Sequence, residues 1–442
     1  MGMNIGDLVR RRAYLTPDDE CYVSEAYRLS FAETNSQVNQ MCSYMRQLPL
    51  YPGDRAAILC KNRYQFAIMM FAAAKLGAIT VPLNWRLTAA ELEYILNNSG
   101  AALLAFDQAF AATVGSLRAK TAVRHYIQIG SSGDSGPDIE FAQALAGQPD
   151  DEPDLYANMD DPAIIMYTSG TTGKPKGVVL THDNLLATAT AQIQTVRWHY
   201  LDRFLHIAPL FHIGGLSPVT TNILCGAASI FMADFDPVKV WQTIVDEKIT
   251  HSMTVPVMLS AMLKVPGIDQ MDISALDYFV CGGSNVPEHL IAEYRKLNIE
   301  VANVYGATEC SGALTFWAPR IMDWEKRRSV GKPLLTANMK IVDPKTHQDL
   351  PCGAVGEIAF SGPQVFARYW NNPAATRQAK AEGWYYTGDL GLMDEDGYFF
   401  LVDRVKDMII SGGENIYPAE LEAMMLAIEG VADVGVVGIP NV

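Results

Sequence analysis

Between about residues 30 and 130, segments of helical periodicity alternate with short apolar runs, and the alternation resumes between about 160 and 300. FAETNSQVNQMCSYMRQL, RYQFAIMMFAAAKLG and TAAELEYILNNSG are interleaved with RAAILC, AITVPL, ALLAFD and HYIQIG. Strands joined through helices must run parallel, because only a crossover returns the chain to the same end of a sheet. The second stretch offers AIIMYTS, FLHIAP, ASIFMA, HSMTVP and YFVCGG, with helices from about Asn184, in WQTIVDEKI and in PEHLIAEYRKL. Together they predict an α/β chain with two doubly wound layers. A chain of 442 residues also exceeds one core, since cores stop growing near about 250 to 300 residues. After about residue 325 the rhythm shortens to MKIVDP, GEIAFSG and WYYTGDLGLMDEDGYFFLV, which predicts a β-barrel-like antiparallel subdomain. The expected division is a large domain over 1–402 and, over 407–442, the start of a small α+β domain in which MIIS and DVGVVGIP are strands flanking the helix PAELEAMMLAI.

Charge narrows the function classes. The formal net charge is -15 and the pI near 5.0, which opposes a general nucleic-acid binder or a polybasic membrane anchor. Seven cysteines without a CxxC pair fit a reduced, cytoplasmic location. The longest apolar stretch, from Phe66, is broken by Lys75, Gly77 and Pro82, so no transmembrane span is expected.

The stretch YTSGTTGKPKG at 167–177 is where chemistry first shows. Gly170, Gly173 and Gly177 allow close backbone approach, Thr168, Ser169, Thr171 and Thr172 offer hydroxyls, and Lys174 and Lys176 supply charge. Read as lying between a strand and a helix, it would add the helix dipole to an anion site for phosphate. Pro175 follows Lys174 where a Walker A loop would place Ser or Thr.

That stretch resembles the signature loop of the acyl-adenylate-forming superfamily. PLFHIGG (209–215), VYGATE (304–309), GEIAFSG (356–362), YYTGDLG (385–391) and DRVKDMIISGGENIYPAELE (403–422) match further motifs in that family's order. The blend is most similar to fatty acyl-CoA synthetases and 4-coumarate or feruloyl-CoA ligases. The resemblance implies ATP-dependent activation of a carboxylic acid to an acyl-adenylate and transfer to CoA, with Mg2+. It implies that the loop from Thr168 through Ser169, Gly170, Thr171, Thr172, Gly173 and Lys174 to Lys176 handles the β and γ phosphates. Thr308 would contact the α-phosphate and Glu309 would ligate Mg2+. Tyr305, with Gly306 beside it, would stack on adenine, whose other edge would meet Gly283 and Ser284. Asp389 would hold the ribose hydroxyls with Arg404 as its partner, and His212 would shape the acyl pocket. Residues 403–406 would be a hinge centred on Lys406, and Gly412 and Gly413 would meet the pantetheine tunnel. The family's later lysine-bearing segment lies beyond Val442, so the sequence reads as truncated.

PLFHIGG lacks the aspartate that pairs an amino-acid substrate's amine, so an amino acid is disfavoured. The acyl pocket is expected near Trp198, His199, His212, Gly282 to Asn285, Val304 to Ala307 and Gly312 to Trp317, capped by Trp198, Phe316 or Trp317. Arg320, Lys326, Arg327 and Arg328 form a basic run that reads as a solvated face, with peripheral membrane contact as the alternative. Competing functions are loading of a carrier-protein phosphopantetheine and non-catalytic nucleotide binding. Oligomeric state, a homodimer included, is left open.

Overall fold

The computed structural model describes residues 4–24, 26–130, 138–168, 174–405, 408–411, 414–426, 428, 430–431 and 434–438. Two predominantly parallel sheets form the α/β layers. The first runs Arg368–Tyr369, Lys176–Thr181, Pro162–Thr168, Ile79–Pro82, Arg55–Leu59, Ala101–Asp107, His125–Ile129 and Ile139–Glu140. The second runs Lys332–Pro333, Gly312–Trp317, Glu300–Ala307, Tyr278–Gly282, His251–Thr254, Arg203–His206, Ala228–Phe231, Glu20–Ser24 and Tyr27–Ser30. A third sheet, of Asn338–Val342, Gly356–Ser361, Trp384–Met393, Lys380–Ala381 and Phe399–Arg404, is antiparallel throughout.

One of the hydrophobic clusters spans both layers. Tyr64–Lys75 is apolar nearly all round and buried along its whole length, the pattern of a helix covered on every side. Its cluster joins Tyr22 and Phe231 of one sheet to Ile58, Leu103 and Met166 of the other. Lys75, fully buried, ends that helix and donates to Asn35 (2.8 Å), Asn39 (2.7 Å) and Glu152 (2.8 Å), which satisfies its three N–H groups.

Three expectations change. The segment after the glycine-rich loop is the strand Lys176–Thr181, antiparallel to Pro162–Thr168, and the helix begins only at His182, capped by Thr181. The loop is therefore a hairpin connection, because β-branched GVVLT extends the sheet first, and no helix N-terminus stands behind it. The chain's first strand, Glu20–Ser24, joins the second sheet by pairing in parallel with Ala228–Phe231, so the layers are not consecutive in sequence. In the C-terminal part, Ile409–Ser411 pairs with Glu414–Ile416 and the helix is Pro418–Leu426. Residues 434–438, expected in a strand, are in none, having no partner strand among the described residues.

Candidate active site

Two adjacent parallel strands, Tyr278–Gly282 and Glu300–Ala307, end side by side, and open α/β sheets bind ligands beyond such carboxyl ends. Glu300–Ala307 turns through a tight 3-10 segment, Thr308–Cys310, into the antiparallel Gly312–Trp317. Gly306 is required there: a Cβ on it would lie 1.9 Å from the Gly312 carbonyl oxygen. Thr308 and Glu309 are thus held in a hairpin turn, both partly buried.

Glu309 Oε1 accepts a 2.8 Å hydrogen bond from the Tyr369 hydroxyl, and its own backbone carbonyl accepts from Phe366 N at 2.8 Å. Burial raises the Glu309 pKa and the Asp389 charge raises it further, against the Tyr369 hydrogen bond and the Lys176 charge. Lys176 Nζ sits 5.4 Å from the centre of the same Tyr369 ring. Thr168 faces Lys176 as the last rung of the hairpin. Lys174 is exposed, its Nζ 5.6 Å from the Tyr94 ring. The expected phosphate contacts Ser169, Gly170, Thr171, Thr172 and Gly173 lie outside the described residues, as do Lys406, Gly412 and Gly413.

Beside this cluster the third sheet delivers Asp389. Its Oδ2 accepts from the Tyr305 hydroxyl at 2.7 Å, and Arg404 Nε lies 3.3 Å from Oδ1 across the hairpin rung that pairs the two residues. Gly388 adopts φ +75°, a conformation glycine tolerates, and donates its N–H to Glu357 at 2.8 Å, which aims the following aspartate. Tyr305 is buried, so both burial and the Asp389 charge keep its hydroxyl protonated. Gly283, at φ +81°, and Ser284 are exposed at the end of the strand that neighbours Tyr305.

His212 is the N-terminal boundary residue of the helix Ile213–Cys225 and is solvent-accessible, its ring tilted against Phe211 with centroids 4.4 Å apart. Crowding by surrounding protein, then the Arg86 charge, lowers its pKa.

The structure removes the proposed caps. Trp198 donates to Asn222 at 2.9 Å and stacks on Phe204, while Trp317 donates to the Asp323 carbonyl at 3.1 Å. Both, with Phe316, are core residues. His199 is exposed. The basic run is neutralised: Arg320 pairs with Asp277 and Glu300, Lys326 with Asp394 and Asp396, and Arg327 and Arg328 with Glu288. Such pairing takes away the field that would draw it to an anionic bilayer. No helix among the described residues is long and apolar enough to cross a membrane.

Residues 9–370 match the family model described as AMP-binding enzyme. The chain belongs to the AMP-binding enzyme family. This AMP-binding enzyme is 36% identical over 445 residues to the long-chain-fatty-acid–CoA ligase FadD13 of Mycobacterium tuberculosis, covering 99% of the chain and 86% of the relative. It is 35% identical to a feruloyl-CoA synthase of an Amycolatopsis species, over 99% of the chain and 86% of that relative. The fold agrees with a solved Mycobacterium tuberculosis fatty acyl CoA synthetase at TM-score 0.86 and 34% identity, covering 99% of this chain and 86% of that one. The resemblance read from the motifs and the mixed α/β fold with a half-barrel sheet both stand.

Sequence reading of the AMP-binding enzyme missed Tyr369, Glu357 and the segment 363–370, whose backbone bonds to both Glu309 and the hairpin strand. Nothing in the spacing of GPQVFARYW marks Tyr369, and GEIAFSG, although matched as a motif, did not single out Glu357; their partners are remote in the chain.

Proposed function

We propose that the chain is an AMP-forming acid:CoA ligase acting on a fatty or aryl carboxylic acid. The observation that carries this is the convergence, from three sheets, of Glu309, Lys176 and the Tyr305–Asp389 pair, near enough for the Asp389 charge to act on Glu309. Family membership and the ligase names of the relatives support it.

In this reading the acid's carboxylate oxygen attacks the α-phosphorus of ATP and pyrophosphate leaves. The thiol of CoA then attacks the acyl carbonyl and AMP leaves. Glu309 fits Mg2+: it is a hard oxygen ligand, with one oxygen fixed by Tyr369. Mg2+ characteristically takes one or two protein carboxylates and completes its shell with phosphates and water, and it would supply charge neutralisation at the polyphosphate. Lys176, with Thr168 and the loop to Lys174, places positive charge where pyrophosphate departs. Thr308 offers a hydroxyl to the α-phosphate. The Asp389 carboxylate, an acceptor only, suits a pair of ribose hydroxyls, and Arg404 pairs with it across the hairpin rung. Tyr305 fixes Asp389 through its hydroxyl while Gly283 and Ser284 border the base. His212, kept neutral, borders the acyl group. Lys406 belongs to the hinge and Gly412 and Gly413 to the pantetheine path. The large domain spans 1–402 with the hinge at 403–406, and the compartment is the cytoplasm.

The test is incubation with ATP, Mg2+, CoA and a panel of fatty and aryl acids, with products weighed by mass spectrometry. Acyl-CoA from one acid class supports the proposal; acyl transfer only to a carrier-protein phosphopantetheine, or no product, overturns it.

A further inference from the structure

We propose that Tyr369 is a positioning residue that holds the Glu309 carboxylate and the Lys176 ammonium in register, coupling the metal ligand to the polyphosphate hairpin. The inference rests on the reading of Glu309 and Lys176 given above. Glu309 belongs to a turn of the second sheet, whereas Lys176 opens a strand of the first. The strand and the turn touch, and a third segment, 363–370, is hydrogen-bonded to both. Asn184 Nδ2 donates to the carbonyls of Pro363 and Val365 at 2.7 and 3.1 Å, and Ser311 Oγ donates to Gln364 O at 2.9 Å. Phe366 N donates to Glu309 O at 2.8 Å, Ala367 N to Val179 O at 2.9 Å and Trp370 N to Gly177 O at 2.7 Å. The segment is a strap bonded at one end to the metal turn and at the other to the hairpin strand.

Tyr369 stands where the strap crosses. Its backbone pairs opposite Val178, its hydroxyl donates to Glu309 Oε1 at 2.8 Å, and its ring carries Lys176 Nζ 5.4 Å from its centre. One side chain thus orients a carboxylate through a hydrogen bond and seats a cation on its face, the two contacts being chemically separable. Partners that orient a metal ligand typically contribute 10- to 100-fold to metal affinity, while a cation on an aromatic face is worth less.

The separation gives the test. Binding of ATP with Mg2+ and of ATP with EDTA is measured by calorimetry, alongside thermal unfolding, for Tyr369→Phe, Tyr369→Leu, Glu309→Gln and the Tyr369→Phe/Glu309→Gln double variant. Tyr369→Phe keeps the ring and is expected to weaken Mg-ATP binding about 10- to 100-fold, leaving metal-free ATP binding and the melting temperature at parental values. Tyr369→Leu should in addition weaken metal-free ATP. In the Glu309→Gln background the Phe substitution should add nothing. If Glu309→Gln leaves Mg-ATP binding untouched, the reading of Glu309 falls, and this inference with it. If Glu309→Gln weakens Mg-ATP binding but Tyr369→Phe does not, or if Tyr369→Phe weakens both forms of ATP equally and lowers the melting temperature, Tyr369 is a packing residue and the proposal alone is overturned.

Discussion

Replacing Gly306 by alanine perturbs the site through a single methyl group. The new Cβ would lie 1.9 Å from Gly312 O, 2.7 Å from Gly312 C and 2.9 Å from Ala313 Cα. All three are backbone atoms, so no side chain can swing aside. Carbon and oxygen settle near about 3.5 Å, and the strands Glu300–Ala307 and Gly312–Trp317 must separate by an ångström or more next to Thr308 and Glu309. Overpacking of this kind costs about 1–3 kcal/mol, roughly 2–12 °C of melting temperature at 2–4 °C per kcal/mol. A displacement of about 1 Å at reacting groups costs on the order of a hundredfold in rate, so kcat/KM for pyrophosphate release should fall by about that factor. The control is Gly115→Ala, in the helix Ala111–Leu117, where a Cβ meets nothing within 4 Å; it should be neutral or stabilise by up to about 1 kcal/mol. A Gly306→Ala enzyme with parental rate and parental melting temperature would refute the claim that this close approach sets the site's geometry.

Burial pushes the imidazoles of His206 and His251 down to about 3 and that of His182 to about 4. The unfolded chain then binds more protons below about pH 6.5, so each histidine withdraws stability as pH falls from there toward its folded value, about 2 kcal/mol by pH 5. Thermal unfolding against pH should show this slope, and His182→Leu should flatten it by one proton's share; an unchanged slope contradicts the assignment. Lys75→Met leaves Asn35, Asn39 and Glu152 without their cation, and breaking a buried pair costs about 3 kcal/mol or more. Calorimetry should therefore report a melting temperature lower by about 6–12 °C, with the KM for ATP unaltered. Arg404 is 62% exposed, so its ion pair is worth under about 1 kcal/mol. Arg404→Ala should melt with the parent yet raise the KM for ATP; a parental KM removes Arg404 from the nucleotide site.

Much of the site was legible because its chemistry is local. Thr168 and Lys176 close one hairpin, Thr308 and Glu309 lie in the turn of another, and Gly388 and Asp389 are consecutive in one strand, so each pair is close in sequence. The roles of Tyr369 and of Glu357, the latter inside the quoted GEIAFSG, went unread for the opposite reason: they act on Glu309 and Gly388 across 60 and 31 positions. Trp198 and Trp317 show the reverse error. Each looked like a pocket cap in a run of chemistry-bearing residues, but a ring N–H buried in the core can be satisfied by a neighbour, as Asn222 and the Asp323 carbonyl do.

By itself the sequence determined most element types, apart from the strand Lys176–Thr181 and residues 434–438, together with the parallel character of the layers and the shift to an antiparallel third sheet, since periodicity and crossover length are properties of short windows. Tertiary structure decided which strands are neighbours. Glu20–Ser24 lies between Tyr27–Ser30 and Ala228–Phe231 in the second sheet, away from the first-sheet strands that come next in the chain, and Arg368–Tyr369 returns to close the edge of the first sheet at Lys176–Thr181. Strand pairing is a contest among all exposed edges, decided by which arrangement buries the apolar faces, so no window of the chain contains it. The same contest brought Tyr369 beneath Lys176 and against Glu309.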